Sequence, residues 1–264
     1  MHKDTEQSSC FDRIWASFIF FTRLPLWRLH EPRTECYKTV VEHWPLTGWL
    51  TGGLMAATLY AGSLFLPYLV AVLLAIAVRM LTTGALHEDG LADFFDGFGG
   101  GGADRERILT IMKDSHIGTF GVLGLVLYVM LLTSALFSMS PQMAALTILA
   151  ADPFAKMLTA GLITLPYARK EEEAKAKVVY RKISPLAIIS LALQGLLPML
   201  LLIYRPSPNL PLYGEAFLPF IPSFFIFTLL YMFIRGRLRG YTGDCCGAVC
   251  LMVELSIYLT ACAL

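Results

Sequence analysis

The sequence predicts an all-α, polytopic integral membrane protein with about seven transmembrane helices, and three observations predict it. Hydrophobic residues fill 56% of the 264 positions and charged residues only 16%, with a mean hydropathy of +0.61, well outside the balance of an ordinary soluble domain. Seven stretches reach the ~20 mostly apolar residues that a spanning helix needs. Lys and Arg gather in alternate connections between those stretches, as they do on the cytoplasmic side of membrane proteins. A net charge of +1 leaves no basic field for nucleic acid, and no nucleic-acid motif is present.

The chain opens with "MHKDTEQSSCFDR", polar and acidic where a signal peptide would be basic, so a retained N-terminus is expected. Ile14-Trp27 is apolar but short and carries Arg23 and Pro25, which predicts an interfacial or re-entrant helix, with an eighth, partial span as the alternative. The spans follow at Pro45-Leu66, Tyr68-Leu86, Gly118-Ser138, Met143-Leu165, Ser184-Tyr204, Phe217-Arg235 and Cys245-Leu264. Arg105, Arg107 and Lys113 follow the second span. Arg169, Lys170, Lys175, Lys177, Arg181 and Lys182 follow the fourth, and Arg237 and Arg239 the sixth. These loops are expected on the cytoplasmic side, with the N-terminus inside and the C-terminus outside. No linker or repeat interrupts residues 1–264, which predicts a single domain. Cys10, Cys36, Cys245, Cys246, Cys250 and Cys262 lack zinc-type spacing and are expected to be small, reduced side chains.

Between the second and third spans lies "HEDGLADFFDGFGGGG", His87 to Gly102. On a helix, Asp93 lies about 40° and Asp96 about 20° around the axis from Asp89, while Glu88 points about 100° away. Such a one-faced trio is repulsive unless neutralised, and a solvated acidic face is the ordinary explanation for a charge run. A divalent cation is the other. Hard oxygen ligands suit magnesium or manganese, and magnesium uses one or two carboxylates together with substrate phosphates. The glycines that follow, Gly99 and Gly100 foremost, allow a backbone to approach a phosphate, though glycine-rich stretches are also hinges.

The next stretch, "ADRERILTIMKDSHIGTFG", predicts a short surface helix with Asp104 as N-cap and Ile108, Ile111 and Met112 on its apolar face. It ends in Lys113, Asp114 and Ser115, a cation, a carboxylate and a hydroxyl at headgroup level, which together with Arg105 suit a phosphate-binding rim. Arg79, two turns before the acidic segment, serves either as a structural counter-ion or as a phosphate ligand. Asp152 and Lys156 stand four apart in the fourth span and can pair. Asp244 opens the last span, and Glu254 lies about 15 Å deeper along its helix. These features alone indicate a cytoplasm-facing, divalent-metal-dependent membrane enzyme acting on a phosphate ester or anhydride.

Six stretches, "TRLPL" (Thr22-Leu26), "WPLTGWLTGG" (Trp44-Gly53), "HEDGLADFFDGFGGG" (His87-Gly101), "RERILTIMKDSHIGTFGVLGL" (Arg105-Leu125), "LPYAR" (Leu165-Arg169) and "GYTGDCCGAVCLMVE" (Gly240-Glu254), resemble the cobalamin synthase, or adenosylcobinamide-GDP ribazoletransferase, family in order along nearly the whole chain. The resemblance implies that α-ribazole, or its 5′-phosphate, attacks the pyrophosphate of adenosylcobinamide-GDP with GMP leaving. It also implies Mg2+ as cofactor and a prokaryotic cytoplasmic membrane. A homo-oligomer, or an association with other cobalamin-assembly enzymes, is an open partner expectation that the sequence does not decide. On this reading Asp89, Asp93, Asp96, Asp114 and Asp244 are the candidate metal ligands. Asp96 is the first candidate base and Asp244 the second. Arg79, Arg105, Lys113, Ser115 and Arg169, with Gly99 and Gly100, are the candidate phosphate contacts. The chain departs from the family's pattern at "DPFAKM" in the fourth span and at "KEEEAKAK" after Arg169. Two rivals are a CDP-alcohol phosphotransferase, against which the compressed spacing of the acids argues, and a cation-coupled transporter, which predicts paired halves that the sequence lacks.

Overall fold

The computed structural model describes residues 9–169, 179–204 and 213–264, and among these all regular elements are helical. Ten α-helices follow one another: α1 (Cys10–Phe21), α2 (Trp44–Ser63), α3 (Tyr68–Thr83), α4 (Leu86–Gly100), α5 (Arg105–Lys113), α6 (Thr119–Ser138), α7 (Pro141–Thr159), α8 (Pro185–Leu196), α9 (Ile221–Leu238) and α10 (Gly243–Ala261). The Lys/Glu-rich loop after Arg169 and residues 1–8 lie outside the described residues.

Five helical stretches are long and apolar enough to cross a bilayer: Thr119–Ser138, Pro141–Thr164, Pro185–Leu202, Phe217–Leu238 and Gly243–Ala261. A sixth arises if α3 and α4, which meet at 90°, count as one broken span. Seven were expected, and α2 makes the difference. It has the length, but its Trp, Thr and Gly residues make it less apolar, and it makes the most extensive helix–helix contact in the structure, along α7. Gly48 and Gly52 permit this, because a Cβ at Gly48 would lie 2.9 Å from the Pro153 backbone and one at Gly52 would lie 3.0 Å from Asp152 Cβ. Across this contact the expected pair forms: Lys156 donates to Asp152, which also accepts from Thr51 Oγ1 at 2.7 Å. The N-terminal α1, at 12 residues, is too short to span and packs on the 3-10 segment Thr34–His43.

The acidic segment is the main departure from the expected layout. It is neither a loop nor the straight continuation of a span. Gly84 and Ala85 both adopt left-handed backbone (φ 66° and 55°) and turn the chain sharply, a conformation natural to glycine and strained for alanine. The corner is held from outside by Arg23, whose N–H donates to Thr82 O at 2.7 Å and whose side chain fills the space beside Gly84. From there α4 runs as a continuous helix through Gly100, so Gly99 and Gly100 are helical residues and not a loop. Its inner face meets α10 almost backbone to backbone. A Cβ at Gly90 would lie 3.0 Å from Asp244 O, and one at Gly247 would lie 3.1 Å from His87 O.

A buried guanidinium joins four of these helices. Arg79 of α3 donates from Nη1 to Glu254 Oε1 of α10 at 2.6 Å and from Nη2 to the Tyr128 hydroxyl of α6 at 2.7 Å, and it lies 3.7 Å from Glu88 of α4. Tyr258 donates to the same Glu254 oxygen. All these side chains are buried. Of the two roles open for Arg79, the structure gives it the counter-ion role. Removing one partner of a buried ion pair strands the other charges, at a cost of about 3–5 kcal/mol. Arg79→Met is therefore expected to lower the thermal stability of the detergent-solubilised protein by that order, with Arg79→Lys recovering only part. An unchanged melting curve for Arg79→Met would show the network to be dispensable.

Candidate active site

The site is assembled where α4 and α10 begin. "LPYAR" and "GYTGD", far apart in the chain, are clamped together by a parallel backbone bridge between Tyr167 and Tyr241, with Ala168 N donating to Tyr241 O at 2.8 Å and Tyr241 N to Pro166 O at 2.9 Å. Arg105 tightens this junction: Nε donates to Leu238 O at 2.8 Å and Nη2 to Ala168 O at 2.5 Å, and Nη1 pairs with Glu106 at 2.5 Å. The bridge sets Arg169 beside Asp244, Nη2 to Oδ2 3.8 Å, with Arg169 also donating to Leu109 O at 3.1 Å. Both side chains are more than nine-tenths buried. Thr242 caps the last helix, its hydroxyl accepting from Cys245 N at 3.2 Å, so Asp244 sits in the first turn of α10.

Asp244 and Arg169 line a cavity of about 120 Å³, and Asp89 enters it from the start of α4 as an exposed side chain. The rest of the wall is largely aromatic. Phe21 stacks on Trp44 (centroids 5.0 Å apart, 12°), and Trp44 stacks on His87 (5.9 Å, 9°). Phe20, Tyr167 and Tyr180 add further rings, and Val41, Leu86 and Cys246 stand between them. Burial pushes the Tyr180 phenol well above its usual range, so its hydroxyl stays protonated.

Of the residues expected at the site, Asp89, Asp244 and Arg169 therefore share one cavity. The others have different surroundings. Asp96 is buried, and its two oxygens accept from Gly118 N at 2.7 Å and Gly121 N at 2.9 Å, capping α6 from a neighbouring helix. Those glycines lack the Cβ that would collide with the carboxylate. The one-faced trio is thus divided, because α6 starts against one end of it. Asp93 is half-buried one turn beyond Asp89 and is not part of the cavity wall. Among the described residues no three His, Cys, Asp or Glu side chains come together as a metal cluster.

Asp114 is exposed and bonded to its neighbour His116 (2.7 Å), whose hydrogen bonds hold the Asp114 carboxyl below its usual range. Lys113 and Ser115 are exposed at the same corner, outside the cavity wall. Beside Gly99 and Gly100 the space a Cβ would take is bordered by Phe120 and Ile111. Arg79 and Arg105 are consumed by protein partners, as described. Sequence reasoning missed Trp44, His87, Tyr167 and Tyr180. The first three stand inside quoted motifs, whereas Tyr180 belongs to none; next to it, Arg181 N donates to Lys38 O at 2.8 Å.

The family model for cobalamin-5-phosphate synthase matches residues 13–262. The chain belongs to the cobalamin-5-phosphate synthase family. A relative from Leptospira interrogans, named adenosylcobinamide-GDP ribazoletransferase, is 34% identical over 253 residues, 94% of each chain. Proteins of the same name from Shewanella baltica (32% identical, 90% of this chain and 89% of the relative) and Leptothrix cholodnii (34%, 91% and 90%) are similar at comparable length. No solved structure matches. Membership of this family leaves the CDP-alcohol phosphotransferase and transporter readings without support.

Asp89 and Asp96 separate function from architecture. Asp96→Asn leaves one acceptor oxygen for two backbone donors and is expected to destabilise the fold by about 1–3 kcal/mol, while the fraction that stays folded retains its turnover. Asp89→Asn is expected to behave oppositely, with an unchanged melting temperature and lost turnover. Parallel thermal-unfolding and activity measurements on the two purified variants check both; the reverse pattern would make Asp96 the reacting carboxylate.

Proposed function

We propose that this chain transfers the cobinamide-phosphate group of adenosylcobinamide-GDP to α-ribazole or its 5′-phosphate, releasing GMP, the last step of nucleotide-loop assembly in cobalamin synthesis. The observation that carries the reading at this chain's own site is the convergence of Asp89, Asp244 and Arg169 on one cavity. The same convergence bears on whether Mg2+ fits. A closed protein cage is absent among the described residues, but Mg2+ ordinarily takes only one or two carboxylates and fills its shell with substrate phosphate and water. An exposed carboxylate beside a buried cation suits that arrangement.

In the proposed mechanism Asp89 would hold Mg2+, which when bound supplies charge neutralisation on the pyrophosphate. Arg169 presents a buried guanidinium to phosphate oxygens, the pairing in which arginine's fork is strongest. Asp244 takes the proton of the attacking ribazole hydroxyl. Asp96, the first candidate from sequence, is set aside for this role because both its oxygens already accept backbone N–H groups. One P–O bond forms from the ribazole oxygen to the phosphorus bearing cobinamide. The pyrophosphate P–O bond to GMP breaks, and the aromatic wall keeps competing water from the acceptor position.

The lysines and arginines concentrated in the loops around Arg105, Arg169 and Arg237 support a site facing the cytoplasm of a prokaryotic inner membrane. Ser115→Cys tests the side: a membrane-impermeant maleimide should add label over the parent protein only in inverted vesicles, and added label only in right-side-out vesicles would reverse the topology.

Turnover tests the chemistry. Purified protein in nanodiscs is expected to release GMP from adenosylcobinamide-GDP only when α-ribazole and Mg2+ are both present, and chelation should abolish release. Asp89→Asn and Asp244→Asn should each lower turnover by about 10²-fold or more, the scale of losing one electrostatic contact to a reacting phosphoryl group, whereas Lys113→Ala should change it by a few-fold at most. Near-normal turnover of Asp89→Asn at saturating Mg2+ would refute the assignment.

A further inference from the structure

Arg105 is expected from sequence to hold phosphate, yet it is not part of the cavity wall. Its guanidinium is turned on backbone instead. Nε donates to Leu238 O at 2.8 Å and Nη2 to Ala168 O at 2.5 Å, while Nη1 pairs with Glu106. The two carbonyls belong to the two segments that deliver the buried side chains of the cavity. Ala168 immediately precedes Arg169. Leu238 ends α9, and from it the chain turns through Arg239, in left-handed backbone (φ 52°), to the Thr242 cap and to Asp244 in the first turn of α10.

Neither segment has much slack. Both backbone groups of Ala168 are used, its N–H on Tyr241 O at 2.8 Å and its carbonyl on Arg105. Gly240 passes so close that a Cβ there would lie 2.5 Å from Pro166 O. The last carbonyls of a helix have no partner within it, and a cation is favoured at that end, so Arg105 also serves as the C-terminal cap of α9. One turn further along α5, Leu109 O accepts from Arg169 Nη2 at 3.1 Å. The main chain beside Arg169 is therefore held by Arg105 and its side chain by Leu109, both from α5.

We infer that Arg105 is a positioning residue for the transfer reaction: by joining Leu238 O to Ala168 O it sets where the Arg169 guanidinium stands relative to Asp244, without itself touching phosphate. The inference rests on the proposed transferase function and adds to it a residue that acts only through Arg169. A guanidinium suits this task because its donors are fixed in one plane, so two carbonyls bonded to it are held at one separation. An ammonium on a flexible stem imposes no such separation. Accuracy at this point matters for rate, since a misplacement of about 1 Å caused by a change remote from the chemistry can cost about 10²-fold.

Steady-state GMP release by purified protein in nanodiscs, measured for Arg105→Gln, Arg169→Gln and the double variant, tests this. Arg105→Gln is expected to lower kcat by about 10²-fold with the KM for α-ribazole little changed, the split that marks an interaction made in the transition state. In the Arg169→Gln background the same change should cost almost nothing, because no guanidinium is left to position. Glu106→Gln leaves both carbonyl bonds of Arg105 in place and should turn over like the parent. If Arg105→Gln does not fold, Arg105→Lys, which keeps the charge but not the planar fork, carries the same cycle with the same criterion. A loss by the same factor in both backgrounds would show that Arg105 meets phosphate directly, and an unchanged kcat in the folded single variant would show a role in stability alone. Either result overturns the inference while leaving the transferase function standing. A parent protein that releases no GMP would instead overturn the function itself.

Discussion

Everything at the site depends on one buried cation. Arg79 is buried in the bundle, and it is tolerable there because Glu254, Glu88 and the Tyr128 hydroxyl converge on it from α10, α4 and α6. An unpaired charge in such surroundings is costly enough to forbid the arrangement, so the guanidinium constrains where those three helices can lie. The consequence is felt at the same end of α4, where Gly90 and Gly247 let its backbone press against α10 and Asp89, next to Glu88 in the chain, shares one cavity with Asp244.

The same constraint explains the crowding of acids in the His87–Gly102 segment. Adjacent acids on a helix point in different directions, and here each has different company. Glu88 faces inward to Arg79. Asp89, next in the chain, faces the cavity. Asp96, two turns on, is spent on the first N–H groups of α6, doing for that helix what its own N-cap, Gly118, lacks a side chain to do. What the sequence presents as a single pool of negative charge is thus one counter-ion, one cap and one carboxylate left open to a ligand, with Asp93 half-buried between them.

The helical membrane architecture was legible because composition and span length state it directly. The surface helix α5 was legible from Asp104, whose side chain does accept from Glu106 N at 2.9 Å. The Asp152–Lys156 pair was legible from its four-residue spacing. Three things were not. The 90° corner between α3 and α4 depends on Ala85 taking a backbone conformation that alanine does not advertise, and the tether from Arg23 is remote in sequence. Helical spacing put Asp96 on the same face as Asp89 but could not know that α6 begins there. Arg105 and Lys113 both read as phosphate ligands from charge alone, and only packing shows that one is bonded to backbone carbonyls while the other stands away from the cavity. Conversely Arg169, a single residue at the end of "LPYAR", becomes a central cation because Tyr167 bridges to Tyr241.

The central claim is that the reacting pyrophosphate lies between Asp89 and Arg169. The most direct measurement is an experimental structure of the nanodisc-embedded protein with Mn2+ and adenosylcobinamide-GDP, the ribazole acceptor withheld so that no turnover occurs. Metal density on the Asp89 carboxylate, with pyrophosphate oxygens reaching Arg169, is the expected result. Metal and pyrophosphate bound instead at the exposed corner of Lys113, Asp114 and Ser115 would contradict it.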